Sequence, residues 1–308
     1  MRRLKLARLL LTLLTLFPKR HSLRSSESKL TEPFFIFGSG RNGSTLLNVI
    51  LNQHPNIFIP PEQYFLGNSI VKYQLYNYLP WRDLVKIVYG EVLSQTDGYM
   101  WQFSSDKIMS DAFNFSKGKK NLQSMLHHIY SSYATTTKPD SIIWGDSTPL
   151  NTRSLPEIFS CFPKAKFIFL VRDGRDVVAS YKKGTTQAFD DLADTLIATD
   201  VWLDSITKYH WLKKRTSVLE VKYESLVSQP EDELVKIIEF IGEKYHSGML
   251  QFYKNVPGVD AYNEAQHQKI HEPIQTNSIG KWKEILSEDE RVYIEKKMRH
   301  FLREFNYL

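Results

Sequence analysis

Phe34-Phe35-Ile36-Phe37-Gly38-Ser39-Gly40-Arg41-Asn42-Gly43-Ser44-Thr45-Leu46-Leu47 passes from a short apolar run through a glycine-rich turn into a helical pattern. A buried strand, a tight turn and a helix N-terminus in that order form an anion cradle, because successive backbone N–H groups and the positive end of the helix point at one spot. Gly38, Gly40 and Gly43 are expected at positive φ, where a backbone can approach a ligand closely. Ser39, Arg41 and Asn42 fill the turn, and Ser44 and Thr45 place hydroxyl donors at the start of the helix.

The spacing Gly38-x4-Gly43 is that of a nucleoside-triphosphate loop, but Ser44 stands where the lysine of such a loop belongs, and the basic group comes earlier, as Arg41. An ordinary Mg-nucleotide site is therefore disfavoured. A second stretch, Phe167-Ile168-Phe169-Leu170-Val171-Arg172-Asp173-Gly174-Arg175-Asp176-Val177-Val178-Ala179-Ser180-Tyr181, repeats the strand-to-helix plan. Arg172 ends the strand, and Ser180 follows about two helical turns later. A guanidinium and a hydroxyl so arranged suit a second anion, separate from the first.

Two anion sites on neighbouring strands call for a nucleotide with phosphates on both ends of its ribose. On these residues the chain resembles the sulfotransferases that use 3′-phosphoadenosine 5′-phosphosulfate (PAPS), most of all the branch of bacterial and protein-tyrosine sulfotransferases. Further matches in order are Asn52-Gln53-His54-Pro55-Asn56, Pro60-Pro61-Glu62, Trp144-Gly145-Asp146-Ser147-Thr148-Pro149 and Ser278-Ile279-Gly280-Lys281-Trp282. The resemblance implies that Gly38 to Thr45 hold the 5′-phosphosulfate and that Arg172 and Ser180 hold the 3′-phosphate, leaving adenosine 3′,5′-bisphosphate as product. It also implies that Glu62 is the catalytic base. Independently, Glu62 follows a short strand, Ile57-Phe58-Ile59, beyond whose carboxyl end ligands gather in an open α/β sheet, and Pro60-Pro61 stiffen its approach. A capping or solvent-facing glutamate is the plainer reading.

Arg41 and the loop amides are placed to neutralise charge on the leaving oxygen. Many members of the family carry lysine after the aspartate of the Trp144–Pro149 stretch, whereas this chain has Ser147; Lys281 is the substitute cation, or else a surface charge beside a core tryptophan. Asp146 reads as an acceptor-orienting group or as an Asx-turn. His54 reads as structural, and Arg175 and Asp176 as securing their helix by local pairing.

Composition sets wider bounds. With 308 residues and 42% hydrophobic content, one large α/β domain, residues 30–308, is expected after a basic, Leu-rich segment and linker at 1–29. The net charge of +6 fits an anionic ligand, and without a Lys/Arg cluster interleaved with aromatics no nucleic-acid partner is expected. The lone Cys161 excludes an intramolecular disulfide and favours a reducing, cytoplasmic setting, although Asn114 heads an Asn-Phe-Ser sequon whose glycosylation would overturn that. No metal is expected, since His127-His128 and His267/His271 each lack a third ligand nearby. In residues 4–17 the leucines surround a polar stripe of Lys5, Arg8, Thr12 and Thr15 that continues to Lys19, and the apolar run Leu9 to Phe17 is too short to span a bilayer. It reads as an interfacial helix or a signal anchor, with a disordered or self-packed leader as the alternative.

Strand–helix alternation without hairpin signals predicts a P-loop-type parallel sheet flanked by helices. Further strands are expected at Ile142 to Trp144 and Val218 to Val221, with a helix at Ser154 to Phe162 and a long one carrying Leu192, Leu196, Val201 and Ile206. Ser228-x-x-Glu231 and Ser287-x-x-Glu290 read as capping boxes, and Gly242 as a helix stop. The function so indicated is sulfuryl transfer from PAPS to a hydroxyl, or second an amine. Residues 64–138 and 243–277 contain no motif that separates a carbohydrate, lipid, peptide tyrosine or small phenol acceptor. The rivals are a P-loop kinase using Mg-ATP and a PAPS-binding protein without turnover.

Overall fold

The structure, a computed structural model, describes residues 19–26, 31–95, 105–184, 191–256 and 269–308. Its elements in chain order are β1 (Phe34–Phe37), α1 (Ser44–Leu51), β2 (Ile57–Phe58), α2 (Phe65–Leu75), α3 (Trp81–Gln95), α4 (Ser105–Phe113), α5 (Leu122–Thr137), β3 (Ile143–Asp146), α6 (Leu155–Cys161), β4 (Lys166–Val171), α7 (Gly174–Lys183), α8 (Thr195–Lys213), β5 (Val218–Lys222), α9 (Tyr223–Ser228), α10 (Pro230–Ile241), α11 (Trp282–Ile285) and α12 (Glu288–Glu304). The strands form one sheet in the order β2-β3-β1-β4-β5, and every pairing is parallel. β1 and β4, the strands of the two motifs, are neighbours, with Phe34 opposite Lys166 and Phe37 opposite Phe169.

Side chains alternate across the sheet and divide the core in two. Phe35, Phe37, Phe167, Phe169 and Val171 face a layer built from α2, α3, α5, α6, α7, α8 and α12. Phe34, Ile36, Ile168 and Leu170 face α1, α9, α10 and the 3-10 turns of Ser247–Lys254. Both faces being covered, β1 is apolar throughout, and each fully buried phenylalanine contributes about 1.5–3 kcal/mol.

Three local readings meet the packing differently. Ser287 and Glu290 do form a reciprocal capping box, and Gly242 ends α10 at φ 104°. Ser228, however, is the last residue of α9; α10 starts at Pro230 behind Gln229, which provides no side-chain cap, because proline at the first turn already removes one unpaired N–H. In α8 the buried face is Ala198, Trp202, Ile206, Tyr209 and Leu212, while Leu196 is 51% exposed and Leu192 lies before the helix. Of the four apolar residues expected on the buried side, Ile206 and Leu192 lie in the core and Val201 packs against it, and Leu196 alone turns outward.

Residues 19–26, read as linker, lie along the helical layer. Asn77 holds both sides of His21, accepting from its N–H at 2.9 Å and donating to its carbonyl at 2.8 Å, and Gln123 N–H donates to Leu23 O at 3.0 Å. Residues 4–17 lie outside the described residues. Among those described, no helix is long and apolar enough to cross a membrane.

Candidate active site

The loop from Gly38 to Gly43 connects β1 to α1 at the carboxyl edge of the sheet. Gly40 and Gly43 take φ of 73° and 96°, and Arg41 between them is also left-handed at 52°. A non-glycine residue there costs about 1–2 kcal/mol, so the surroundings must over-determine the turn. They do so sterically as well: a Cβ on Gly43 would sit 2.6 Å from the Tyr223 ring, and one on Gly40 would strike the Tyr181 hydroxyl. Gly38 corrects the expectation, since it is not at positive φ. Its side chain is excluded because a Cβ would strike the Asn42 amide and lie 2.5 Å from Leu170 O.

Side chains from distant segments brace this loop. The Thr152 hydroxyl accepts from Gly38 N–H at 3.0 Å and donates to Gly38 O at 2.8 Å. Asn42 is buried and donates to Leu170 O at 2.6 Å, Ser39 Oγ donates to Gly40 O at 3.0 Å, and Tyr181 donates to Ser39 O at 2.7 Å. Asn42 and Ser39 thus turn their side chains toward the protein. The helix α1 starts at Gly43 with no side-chain cap, so the N–H groups at Ser44 and Thr45 begin a helix whose positive end faces the turn.

The second motif converges on the same loop. Arg172 leaves the end of β4 and donates from Nη1 to Arg41 O at 3.0 Å and from Nη2 to Ser278 O at 2.6 Å, with its guanidinium 4.6 Å over the Tyr223 ring. Its Nε is buried without a partner. Arg41 in turn donates from Nε to Ser180 Oγ at 3.1 Å, so the cation of the first stretch reaches the hydroxyl of the second. Burial and Arg172 lower the pKa of Arg41, opposed by Tyr181 and Glu62. Lys269 adds a further positive charge, bonded to Ser278 Oγ and, at 3.1 Å, to Asn277 Oδ1, and burial and Arg172 lower its pKa.

Asp176 fastens the late loop: its carboxylate accepts from Gly280 N–H at 2.7 Å and Trp282 N–H at 2.9 Å. Arg175 pairs with Asp173 at 2.8 Å and Glu295 at 2.9 Å and lies 4.2 Å over Trp282. The Arg175–Asp173 pair is local; Asp176 is held mainly by the late loop, against the expectation of local pairing. Lys281, by contrast, is exposed and pairs with Glu284 at 2.9 Å, and no described contact joins it to residues 38–45.

Glu62 is half-buried just beyond β2 and accepts from the Tyr64 hydroxyl at 3.3 Å. Its charge acts on both Arg41 and Tyr181, which locates it at the loop. Two asparagines of α1 set its approach. Asn48 Nδ2 donates to Pro60 O at 3.1 Å and to Ser147 Oγ at 2.9 Å, and Asn52 exchanges hydrogen bonds with Ile59 at 2.7 and 2.9 Å. Sequence reading cited Asn52 only within a matching stretch and missed Asn48, although an asparagine on the otherwise apolar inner face of a helix is a visible signal. Ser147 is thereby committed to Asn48.

Asp146 is an Asx-turn residue here. It accepts from Thr148 N–H at 2.8 Å, Asn151 Nδ2 at 3.0 Å and the Tyr130 hydroxyl, and burial raises its pKa against those bonds. His54 is buried with Nε2 on Lys244 O at 3.0 Å. Cys161 is fully buried, and burial raises its thiol pKa. His127 accepts from Trp144 at 2.9 Å, and burial lowers its pKa to about 4. Among the described residues no group of three His, Cys, Asp or Glu side chains is gathered for a metal.

Comparison with known proteins places this geometry. The chain is 24% identical over 279 residues to protein-tyrosine sulfotransferase 1 of Danio rerio, covering 85% of this chain and 71% of that protein. Among solved structures it superposes on the sulfotransferase domain from the curacin biosynthetic pathway with a TM-score of 0.59 at 21% identity, over 88% of this chain and 99% of that domain. The sulfotransferase domain of the Synechococcus PCC 7002 olefin synthase gives 0.54 at 20% identity, over 89% of this chain and 97% of that domain. A model of the sulfotransferase family matches residues 33–247, well over half of the chain. The chain belongs to the sulfotransferase family.

Proposed function

We propose that this transferase takes its sulfuryl group from PAPS and passes it to an acceptor hydroxyl, with Glu62 as general base. The observation that carries the reading is the meeting of Arg41, Ser180 and Arg172, from segments far apart in sequence, beside an uncapped helix N-terminus and a half-buried glutamate. The residues suit the nucleotide: Arg172 Nε is a buried donor without a partner, and Gly40 and Gly43 let the turn pack against Tyr181 and Tyr223 with its backbone at positive φ. When bound, PAPS supplies an activated sulfuryl group with a bisphosphate leaving group.

The protein's own residues do the rest. The amides of the Gly38–Thr45 turn and Arg41 hold the 5′ end and stabilise charge on the departing oxygen. Arg172 and Ser180 hold the 3′-phosphate. Glu62 takes the acceptor proton as the oxygen attacks, and the rigid Pro60-Pro61 approach keeps its carboxylate in line. Arg41, Arg172 and Lys269 supply the positive charge at the site. The similarity to protein-tyrosine sulfotransferase 1 makes peptide tyrosine the acceptor to test first, ahead of carbohydrate, lipid and small phenol. Incubation of the purified protein with radiosulfate-labelled PAPS, EDTA and tyrosine-containing peptides or a fractionated cell extract is expected to label an acceptor. Failure of label transfer to any fraction would leave a binding protein without turnover.

We place the chain in the cytoplasm, with residues 4–17 on a membrane interface. Deleting residues 1–18 is expected to abolish sedimentation with anionic vesicles while leaving the melting temperature of the domain unchanged, because the contacts of residues 19–26 remain. Equal sedimentation of both forms would defeat the proposal.

A further inference from the structure

Ser147 replaces a family lysine and is committed to Asn48, and Lys281 is paired with Glu284 at the surface. Arg172 spends two donors on Arg41 O and Ser278 O, on the side of the late loop. Beside Arg41 and Arg172, a further cation adjoins the loop. Arg153 lies in the 3-10 segment Pro149–Ser154, directly after Thr152, whose hydroxyl is clasped on both sides of Gly38. At the other end of that short segment, Pro149 Cβ lies 3.2 Å from where a Cβ on Gly40 would stand. Two contacts thus fix the segment against the first and third residues of the anion loop, and they hold the Arg153 backbone at its rim.

The Arg153 side chain is exposed, and no carboxylate pairs with it among the described residues. Burial pushes the Tyr181 hydroxyl up to about 12, Glu62 adds to the rise, and Arg41 and Arg153 oppose it, so all three charges are felt at one hydroxyl that donates to Ser39 O. A guanidinium at the rim of the loop with no carboxylate partner among the described residues is a donor open to an anion.

Building on the PAPS reading above, we propose that Arg153 is a cation that contacts the sulfonate of the bound donor at the rim of the loop. Its five N–H donors can bind two sulfonate oxygens at once, and that contact would strengthen as charge shifts during transfer.

Affinities of PAPS and of adenosine 3′,5′-bisphosphate, which lacks the sulfonate, test this without an acceptor. Titration calorimetry of Arg153→Met is expected to show PAPS binding weakened about tenfold or more, while the bisphosphate stays within about twofold of the unsubstituted protein. Arg153→Lys should recover most of the loss, and the exposed position should leave the melting temperature of both variants unchanged. Equal weakening of the two ligands, or no change in either, overturns the role of Arg153. If the unsubstituted protein binds neither ligand, it is the donor reading itself that fails.

Discussion

Glu62→Gln is expected to lower kcat by about two to four orders of magnitude while leaving bisphosphate affinity and melting temperature unchanged. The amide keeps the shape of the carboxylate and its contact with the Tyr64 hydroxyl at 3.3 Å but cannot accept the acceptor proton. The side chain is only half-buried, so the substitution leaves no unpaired group in the core. Alternative bases are poorly placed. Both oxygens of Asp146 are taken by Thr148, Asn151 and Tyr130, and His54 is buried against Lys244 O. Single-turnover measurement with saturating donor separates the chemical step from binding, and near-normal turnover would falsify the assignment of Glu62.

A thermal-shift series with three ligands should separate the sulfotransferase donor from the kinase alternative. Adenosine 3′,5′-bisphosphate is expected to raise the melting temperature strongly in EDTA, and AMP, without the 3′-phosphate, much less. A charge-assisted phosphate contact contributes about 1.5–3 kcal/mol, so Arg172→Ala should weaken the bisphosphate at least about tenfold and remove most of its advantage over AMP. Because Arg172 also bonds Arg41 O and Ser278 O, the ligand-free variant should itself melt earlier, and the informative quantity is the ligand-induced shift. Arg41→Ala should weaken both ligands, since its loop faces the 5′-phosphate they share. Best stabilisation by Mg-ATP, lost on chelation, with no benefit from the 3′-phosphate, would overturn the PAPS reading.

Both motifs were legible because each is a local pattern. An apolar run, closely spaced glycines and a helix start constrain φ and ψ through contacts between near neighbours, and so Phe34 to Leu47 and Phe167 to Tyr181 declared strand, turn and helix without help from the rest of the chain. The parallel sheet followed from alternation, and the local pairing expected of Arg175 is met by Asp173, whereas Asp176 accepts from the distant amides of Gly280 and Trp282.

What the tertiary structure decided were the partners across long sequence separations. Arg41 and Ser180 are 139 residues apart, and Gly38 and Thr152 are 114 apart; no local pattern in either member of a pair names the other. Gly38 shows the same division within one residue. Its identity was plain, but the reason for it is the crowding of Asn42 and Leu170 O, which exists only once β4 lies beside β1. Leu196 was misplaced for a related reason, since Leu196 and Trp202 are both apolar and only the neighbouring Phe169 side of the sheet and α12 select which is buried. Sequence therefore determined the backbone conformations that short-range sterics dictate, whereas strand order decided which side chains meet at the carboxyl edge of β1, because hydrogen bonds and close packing act only between groups that the whole fold has already brought within a few ångströms.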